Sequence, residues 1–199
     1  GLGSEVAWAP TFGAEFRSLQ GHYPIIFRRD DAQARYEAIA LLGFTEDENL
    51  FLEDARWDAP VVPLLLERQP FLIGRNGDEL MIQVDLDHPR VSRTEGEPVF
   101  KPHGGNSDYL AHVDGLLSTI HHGLQFEPGF IDALTRHELL EPFALEIEFD
   151  NGAQSRMSGF YTINEERLAT LDAGAVAELH QAGYLGPIWF GLASLSNLR

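Results

Sequence analysis

The chain contains no cysteine, so disulfide bonds, thiolate metal ligands and a cysteine nucleophile are all excluded. The absence of disulfides is typical of the cytoplasm. Several enzyme motifs are missing as well: there is no G-x-G-x-x-G or P-loop nucleotide motif, no H-E-x-x-H zinc motif and no G-x-S-x-G nucleophile elbow. The sequence therefore lacks the short patterns that identify these common enzyme classes.

Positive charge is scarce in this chain. It has 14 basic against 31 acidic residues, which gives a formal net charge of -17. A protein this acidic is repelled by the phosphate backbone of nucleic acids and by anionic lipid surfaces. We therefore expect no nucleic-acid binding. The charge keeps a globular protein soluble, and it also suits a cationic partner or metal.

Long apolar runs are also absent. About 20 consecutive apolar residues are needed to cross a bilayer, and the longest candidate, residues 184–198, is interrupted by Gly186, Pro187 and Gly191. The first eight residues lack the basic and apolar regions of a secretory signal. We expect no membrane insertion and a cytoplasmic location. Because Gly1 stands in place of an initiator Met, we also expect that the N-terminus is truncated.

The chain does have enough apolar material for a core. Hydrophobic residues make up 44% of its 199 residues, and 13 of them are Phe, so global disorder is not expected. We predict a single domain over residues 1–199, in which residues 1–12 form a loosely ordered N-terminal arm. Residues 88–106 contain three prolines and three glycines and are predicted to be a loop.

Short apolar runs predict the strands. Residues 22–27, 36–44 and 49–53 predict an antiparallel meander, because the gaps between them are too short for helical crossovers. Pro24 near the start of the first run favours an edge position for that strand. The Asn76-Gly77 turn predicts a hairpin of residues 71–74 and 79–86, and a second hairpin is predicted from residues 143–149 and 157–163.

Helical periodicity begins in the C-terminal half. Ser107 is a candidate cap for a helix with one apolar stripe, and Pro128 is placed to open a second helix. Short helices are predicted after Asn164 and Asp172, and a last apolar helix over residues 187–198 is expected to dock on the sheet. The predicted fold class is α+β: an antiparallel sheet built from a meander and hairpins, packed by the helices of the C-terminal half.

The best candidate binding residues are Arg56, Trp57, Asp58 and Arg68, together with His22. Trp57 offers a large flat face, and the two arginines carry planar guanidinium groups suited to a carboxylate. The alternative is structural, with an Arg–Asp pair capping a turn and the Trp57 side chain in the core. Aromatic side chains dominate core packing in most domains, which favours that alternative.

Asp85, Asp87 and His88 are the densest group of metal-ligand residue types. Two aspartates two residues apart on a strand share a face, so both can meet one cation. The alternative is a polar strand face that leads into a loop. No cofactor is predicted apart from a metal at this group. The adjacent His121 and His122 diverge by about 100° on a helix, so they do not face one ion together.

Several ordered stretches of the chain resemble the SapC-like family of bacterial proteins. The resemblance spans residues 12–199 and is carried by the following residues: 22–27 (HYPIIF), 40–44 (ALLGF), 49–51 (NLF), 56–58 (RWD), 60–71, 140–143 (LEPF), 158–168 (SGFYTINEERL) and 192–198 (LASLSNL).

The resemblance implies a cellular process for the protein and does not imply a chemical reaction. The family name comes from bacterial surface-array gene clusters, which implies a role in surface-layer protein export or assembly. Members also look like companions of outer-membrane nutrient receptors, cupin-like oxygenases and tryptophan-halogenase-like enzymes. The resemblance carries over no catalytic residues. A permease role is not expected for a sequence with no visible membrane span.

We therefore expect a non-enzymatic accessory or binding protein linked to the bacterial surface layer or to outer-membrane uptake systems. It would act through a protein partner, and homo-oligomerisation stays open. One alternative is a metal-dependent enzyme, either a hydrolase or an oxygenase-like protein. The other is a small-molecule binder with a pocket near Trp57.

Overall fold

A computed structural model of the protein describes residues 5–30, 34–45, 47–54, 56–77, 79–148, 152 and 154–198. Its strands, in chain order, are β1 (Trp8–Pro10), β2 (Ile25–Asp30), β3 (Arg35–Leu41), β4 (Leu52–Glu53), β5 (Arg56–Trp57), β6 (Phe71–Asn76), β7 (Glu79–Val84), β8 (Leu140–Glu148) and β9 (Gln154–Ile163). Its α-helices are α1 (Phe16–Leu19), α2 (Leu64–Glu67), α3 (Asp108–Arg136), α4 (Glu165–Ala169), α5 (Ala173–Gln181) and α6 (Leu185–Ser194), and a 3-10 helix follows over Leu195–Leu198.

Within the described residues, five strands form one antiparallel sheet in the order β1-β3-β2-β9-β8. Three of them come from the N-terminal third of the chain and two from the later hairpin. The remaining strands form two separate pairs, β4 with β5 and β6 with β7. The α+β class and the antiparallel sheet packed by C-terminal helices are thereby confirmed.

The predicted meander is right for its first two strands and wrong for the third. β2 pairs with β3 along its whole length, from Ile25 opposite Ala40 to Asp30 opposite Arg35. The run at residues 49–53 yields the two-residue strand β4, which pairs with β5 instead. β9, a strand of ten residues, takes the place beside β2, where its Ile163 is buried in the main core and its Tyr161 packs against that core.

Two predictions for the N-terminal region are corrected. Residues 1–12 are not a loosely ordered arm throughout, because Trp8–Pro10 pairs with β3, and Ala9 and Phe12 are fully buried. The edge position inferred from Pro24 is also wrong, since β2 has β3 on one side and β9 on the other. Pro24 immediately precedes the strand, and its carbonyl accepts a hydrogen bond from Leu41 N at 2.9 Å.

The two faces of the five-stranded sheet pack against different parts of the chain. One face carries the main core, where α1, the second half of α3, α5 and α6 bury residues such as Phe27 and Ala40. The other face buries Ile26 and Ile39 beneath partly exposed neighbours. There the guanidinium of Arg28 lies 3.7 Å from the ring centroid of Trp8 and pairs with Glu37.

Helix α3 is a single helix of 29 residues, and the prediction that Pro128 opens a second helix is wrong. Ser107 caps it as predicted, accepting a hydrogen bond from Leu110 N at 3.1 Å. A proline within a helix removes one backbone hydrogen bond. The packing of Phe130, Ile131 and Leu134 into the main core carries the helix past that gap.

The two halves of α3 serve different cores. Its first half packs the stripe of Val113, Leu117 and Ile120 against Phe12 and the hairpin of β6 and β7. That hairpin forms as predicted, but Asn76 is the last residue of β6, opposite Glu79, and the connection begins at Gly77, which has a φ of 62°. Between Val84 and Asp108 the chain has no helix or strand beyond a bridge of Phe100 to Asn106, and all of these residues are described.

The C-terminal helices fasten the sheet. Asn164 and Asp172 cap α4 and α5 as predicted, each accepting a hydrogen bond from a backbone N–H three residues on. α6 docks on the sheet, where the buried hydroxyl of Ser194 accepts a hydrogen bond from Ile25 N at 2.8 Å. No helix in the described part of the chain is long and apolar enough to cross a membrane.

Candidate functional site

Two of the predicted binding residues meet around one buried tyrosine. Tyr23 is fully buried, its hydroxyl donates to the carbonyl of Val61, and it accepts a hydrogen bond from the indole N–H of Trp57 at 2.7 Å. The ring centroid of His22 lies 6.2 Å from that of Tyr23, and the ring of Phe51 lies 4.6 Å away. Burial raises the pKa of Tyr23 to about 12, so its hydroxyl stays protonated and keeps donating.

Trp57 is therefore tied to the core by its polar atom as well as by its ring. The ring is half-buried and packs against the main core, which matches the structural alternative for this residue. Arg56 and Asp58 beside it are exposed, and no ion pair joins them within the described structure. Arg56 lies opposite Glu53 in the β4–β5 pair.

The Arg68 side chain lies apart from Trp57 in the hydrogen-bond pattern and binds the backbone of its own turn. Its Nη1 donates to the carbonyl of Phe71 at 2.7 Å, and burial lowers its pKa from the usual arginine value. The guanidinium thus holds the turn between α2 and β6, as Arg90 does by donating to the carbonyls of Leu66 and Gln69. A shared ligand-binding role for His22, Arg56, Trp57, Asp58 and Arg68 stays a prediction.

The proposed metal residues lie on a turn rather than on a strand. β7 ends at Val84, and Oδ1 of Asp85 accepts a hydrogen bond from Asp87 N at 3.1 Å. His88 Nδ1 accepts one from Arg90 N at 3.2 Å. Across the described ranges, no group of three or more His, Asp or Glu side chains is arranged to hold a metal ion. Metal binding at Asp85, Asp87 and His88 stays a prediction.

A groove that the sequence did not reveal lies between the β6–β7 hairpin and α3. We call it the hairpin groove. Its volume is about 390 Å³, and it is lined by Ile73, Leu80, Met81, Ile82, Asp114, Leu117, Ser118, His121 and His122. Leu80 is 47% exposed and Met81 is 40% exposed. Ile73, Ile82 and Val84 of the hairpin pack against the core that the first half of α3 builds.

Two carboxylates, one buried and one half-buried, were also missed by sequence reasoning. Glu15 is 3% exposed, and it accepts hydrogen bonds from the hydroxyl of Thr11 and from Leu64 N, both at 2.7 Å. Glu127 accepts one from Gly13 N at 2.7 Å. Burial raises the pKa of each carboxyl group to about 7. The available signal was the setting of Glu15 between Phe12, Phe16 and Leu19, an apolar stripe at helical spacing.

Comparisons with known proteins give one match. A family model described as SapC matches residues 1–199. No curated protein and no solved structure matches the chain significantly. The resemblance that the sequence motifs carry is thereby confirmed over the whole chain.

Proposed function

Because the chain belongs to the SapC family, we propose that it is a non-enzymatic accessory protein that binds a protein partner. The expected context is the bacterial surface layer or an outer-membrane uptake system. The observation that carries this proposal is the hairpin groove. Large apolar side chains are exposed there, on the surface of a chain that is strongly acidic as a whole. Contiguous exposed apolar surface often marks an interaction site.

The shape of the groove suits a segment of a protein. One wall is a β-hairpin and the other is the exposed flank of a long helix, so the groove runs between two regular elements. Apolar contacts are available from Leu80 and Met81 on one wall and from Leu117 on the other. Grooves of this kind accept an amphipathic segment that presents one or two apolar anchors.

The negative net charge of the chain favours a positively charged partner. With a net charge of -17, the surface favours a basic partner at long range and raises its association rate at low salt. Asp114 lies in the groove beside Leu117, close to where an apolar anchor would sit. We therefore infer a basic amphipathic segment, with its apolar anchor between Leu80 and Leu117 and a Lys or Arg against Asp114.

Site-specific photocrosslinking in the source cells tests this proposal. A photoreactive phenylalanine analogue would replace Met81 in the groove, and the matched control would replace Val176, which is 39% exposed on α5. We expect one crosslinked protein at position 81 that is absent at position 176. That protein would then be identified by mass spectrometry, purified, and its Kd measured against the unmodified chain.

The purified pair then tests the groove itself. Leu80→Asp should weaken binding by about tenfold or more, because it places a charge where an apolar anchor is seated. Val176→Asp should leave the Kd unchanged, and raising the salt concentration should weaken binding to the wild-type chain. An identical crosslinking pattern at positions 81 and 176, or a Leu80→Asp chain with wild-type affinity, would refute the proposal.

A further inference from the structure

The helix α6 carries an exposed aromatic side chain within an uncharged segment. Residues 181–198 contain no Asp, Glu, Lys, Arg or His, and they are the longest run of this kind in a chain of which 23% is charged. α6 lies inside this run, and its Trp189 is 53% exposed. Charged residues are depleted and tryptophan is enriched at the centre of protein interfaces. The composition of α6 is therefore that of an interface.

The two faces of α6 have different surroundings. Its inner face, with the buried side chains of Ile188 and Ser194, docks on the sheet. Its outer face exposes Gly186, Trp189 and Ala193. Spacings of three and four residues place side chains in one line along a helix. The outer face is therefore a single stripe, with the large Trp189 side chain in the middle and a small residue on each side.

This outer face is complementary to itself. Half-buried apolar side chains flank the stripe: the Phe190 ring lies beside Gly186, where a Cβ atom would be 3.7 Å from its Cε2, and Leu192 lies next to Ala193 in the chain. A two-fold interface brings the same patch of two copies together, so the patch has to contain both a projecting group and the space that receives it. Trp189 is the projecting group, and Ala193 leaves the space.

Charge indicates that the occupant of this face is a second copy of the chain. A basic partner, such as the one proposed for the hairpin groove, finds no acidic group on α6 to attract it. A second copy carries the same net charge of -17, so most of its surface is repelled. Like charges opposed across an interface suppress association. α6 is the segment through which two copies can meet without opposing such charges.

We propose that the protein forms a two-fold homodimer through the outer face of α6. Trp189 of each copy packs on Ala193 of the other, and Phe190 and Leu192 lie at the edges of the contact. Stable interfaces bury about 1,200–2,000 Å² in total. α6 has 10 residues and is about 15 Å long, so a contact limited to this helix is at the small end of that range. The dimer is therefore weak, with a Kd in the micromolar range.

Sedimentation velocity of the full chain tests this dimer. Between about 1 µM and about 300 µM, the average mass should rise from 22.2 kDa towards twice that value. Adding NaCl should strengthen association, because salt screens the repulsion between two acidic copies. A basic partner at the hairpin groove would respond to salt in the opposite direction, so the two proposals fail separately. A chain that stays monomeric at the highest concentration in 0.3 M NaCl, or a dimer that salt weakens, would overturn the proposal.

Variants locate the contact. Trp189→Ala should weaken dimerisation by about tenfold or more because it removes the central aromatic side chain. Ala193→Glu should do the same, since it sets two like charges at the contact. Both positions are exposed, and thermal melts of dilute protein check that the variants fold. Leu86→Glu, at a residue that is 71% exposed before α3, and Leu80→Asp in the hairpin groove are controls and should dimerise like wild type.

Photocrosslinking in the source cells identifies what occupies the face. A photoreactive phenylalanine analogue would replace Trp189, and the matched control would carry it at Leu86. We expect a crosslinked species from position 189 that has twice the mass of the chain and contains this chain alone, with none from position 86. A crosslink from position 189 to a different protein or to lipid instead, or wild-type dimerisation of both Trp189→Ala and Ala193→Glu, would refute the homodimer.

Discussion

At the scale of single residues, two carboxyl groups hold the N-terminal segment to the rest of the molecule. Glu15 reaches Leu64 at the start of α2, and Glu127 on α3 reaches the backbone of Gly13. Both groups lie away from water, which disfavours their charged forms. The hydrogen bonds that they accept offset only part of this, since the pKa of each remains raised to about 7.

We expect Glu15 to make stability depend on pH in the window from 4.5 to 7. The folded chain holds the Glu15 proton up to about pH 7, whereas the unfolded chain releases it near 4.5. The folded state thus binds more protons in this window, so the free energy of unfolding falls as the pH rises through it. The full loss is on the order of 3 kcal/mol.

Glu15→Gln removes this titration while keeping the shape of the side chain. Relative to wild type, the variant should gain on the order of 3 kcal/mol between pH 4.5 and pH 8, measured by urea unfolding at several pH values. Glu148→Gln on exposed β8 is the control and should follow the wild-type profile. A Glu15→Gln profile parallel to that of wild type would contradict the raised pKa.

At the scale of elements, α3 is the part that joins the two cores. Its first half packs on the hairpin core and its second half on the sheet core. Gly123 lies between these halves, where a Cβ atom would come within 2.2 Å of the fully buried ring of Phe12. Gly115 lies in the first half of the same helix and is exposed. A Cβ atom added there would have no neighbour within 4 Å.

These two glycines give opposite predictions for the same substitution. Gly123→Ala should lower the free energy of unfolding by about 1–3 kcal/mol, because the Phe12 ring has no space to move into. Gly115→Ala should raise it by about 0.5–1 kcal/mol, since alanine favours the helix and meets nothing. Chemical denaturation of both variants is the measurement. Equal shifts in the same direction would show that α3 does not approach Phe12 as described.

At the scale of the whole molecule, net charge opposes the compact state. The chain has a net charge of -17 over 199 residues. Folding brings these negative charges closer together, so their mutual repulsion destabilises the folded state. Salt screens it, since the Debye length falls from about 30 Å at 0.01 M to about 10 Å at 0.1 M. The described ion pairs are mostly exposed and contribute little to stability, so their screening by salt lowers the free energy of unfolding only slightly.

We therefore expect Tm to rise as NaCl increases from 0.01 M to 0.3 M. The gain should be about 1 kcal/mol, which corresponds to about 2–4 °C for a chain of this size. Scanning calorimetry measures it, and choline chloride replaces NaCl as the control for specific sodium binding. A Tm that falls with either salt would mean that attractive ion pairs outweigh the net repulsion.

Local sequence patterns identified the elements whose cause is local. The caps at Ser107, Asn164 and Asp172 depend on a side chain and a backbone N–H three residues on, so the sequence alone predicts them. The hairpin that Asn76-Gly77 signals is predictable for the same reason, although its turn begins at Gly77. The antiparallel α+β class follows from the order and length of the apolar runs.

The candidate sites were less predictable because they depend on distant contacts. Trp57 was recognised as either binding or structural, and only its hydrogen bond to Tyr23, 34 residues earlier, ties its indole to the core. Glu127 contacts Gly13 across 114 positions, which no local pattern reveals. Sequence reasoning therefore found neither the contact between Glu127 and Gly13 nor the hairpin groove.

The sequence by itself determined the SapC family, the fold class, the helix caps and the acidic surface, because these depend on composition and on neighbours a few residues apart. Tertiary structure decided that Trp8–Pro10 becomes a strand, that β9 displaces residues 49–53 from the sheet, and that α3 continues past Pro128. In each case the burial of apolar surface against distant residues outweighs the local preference of the segment.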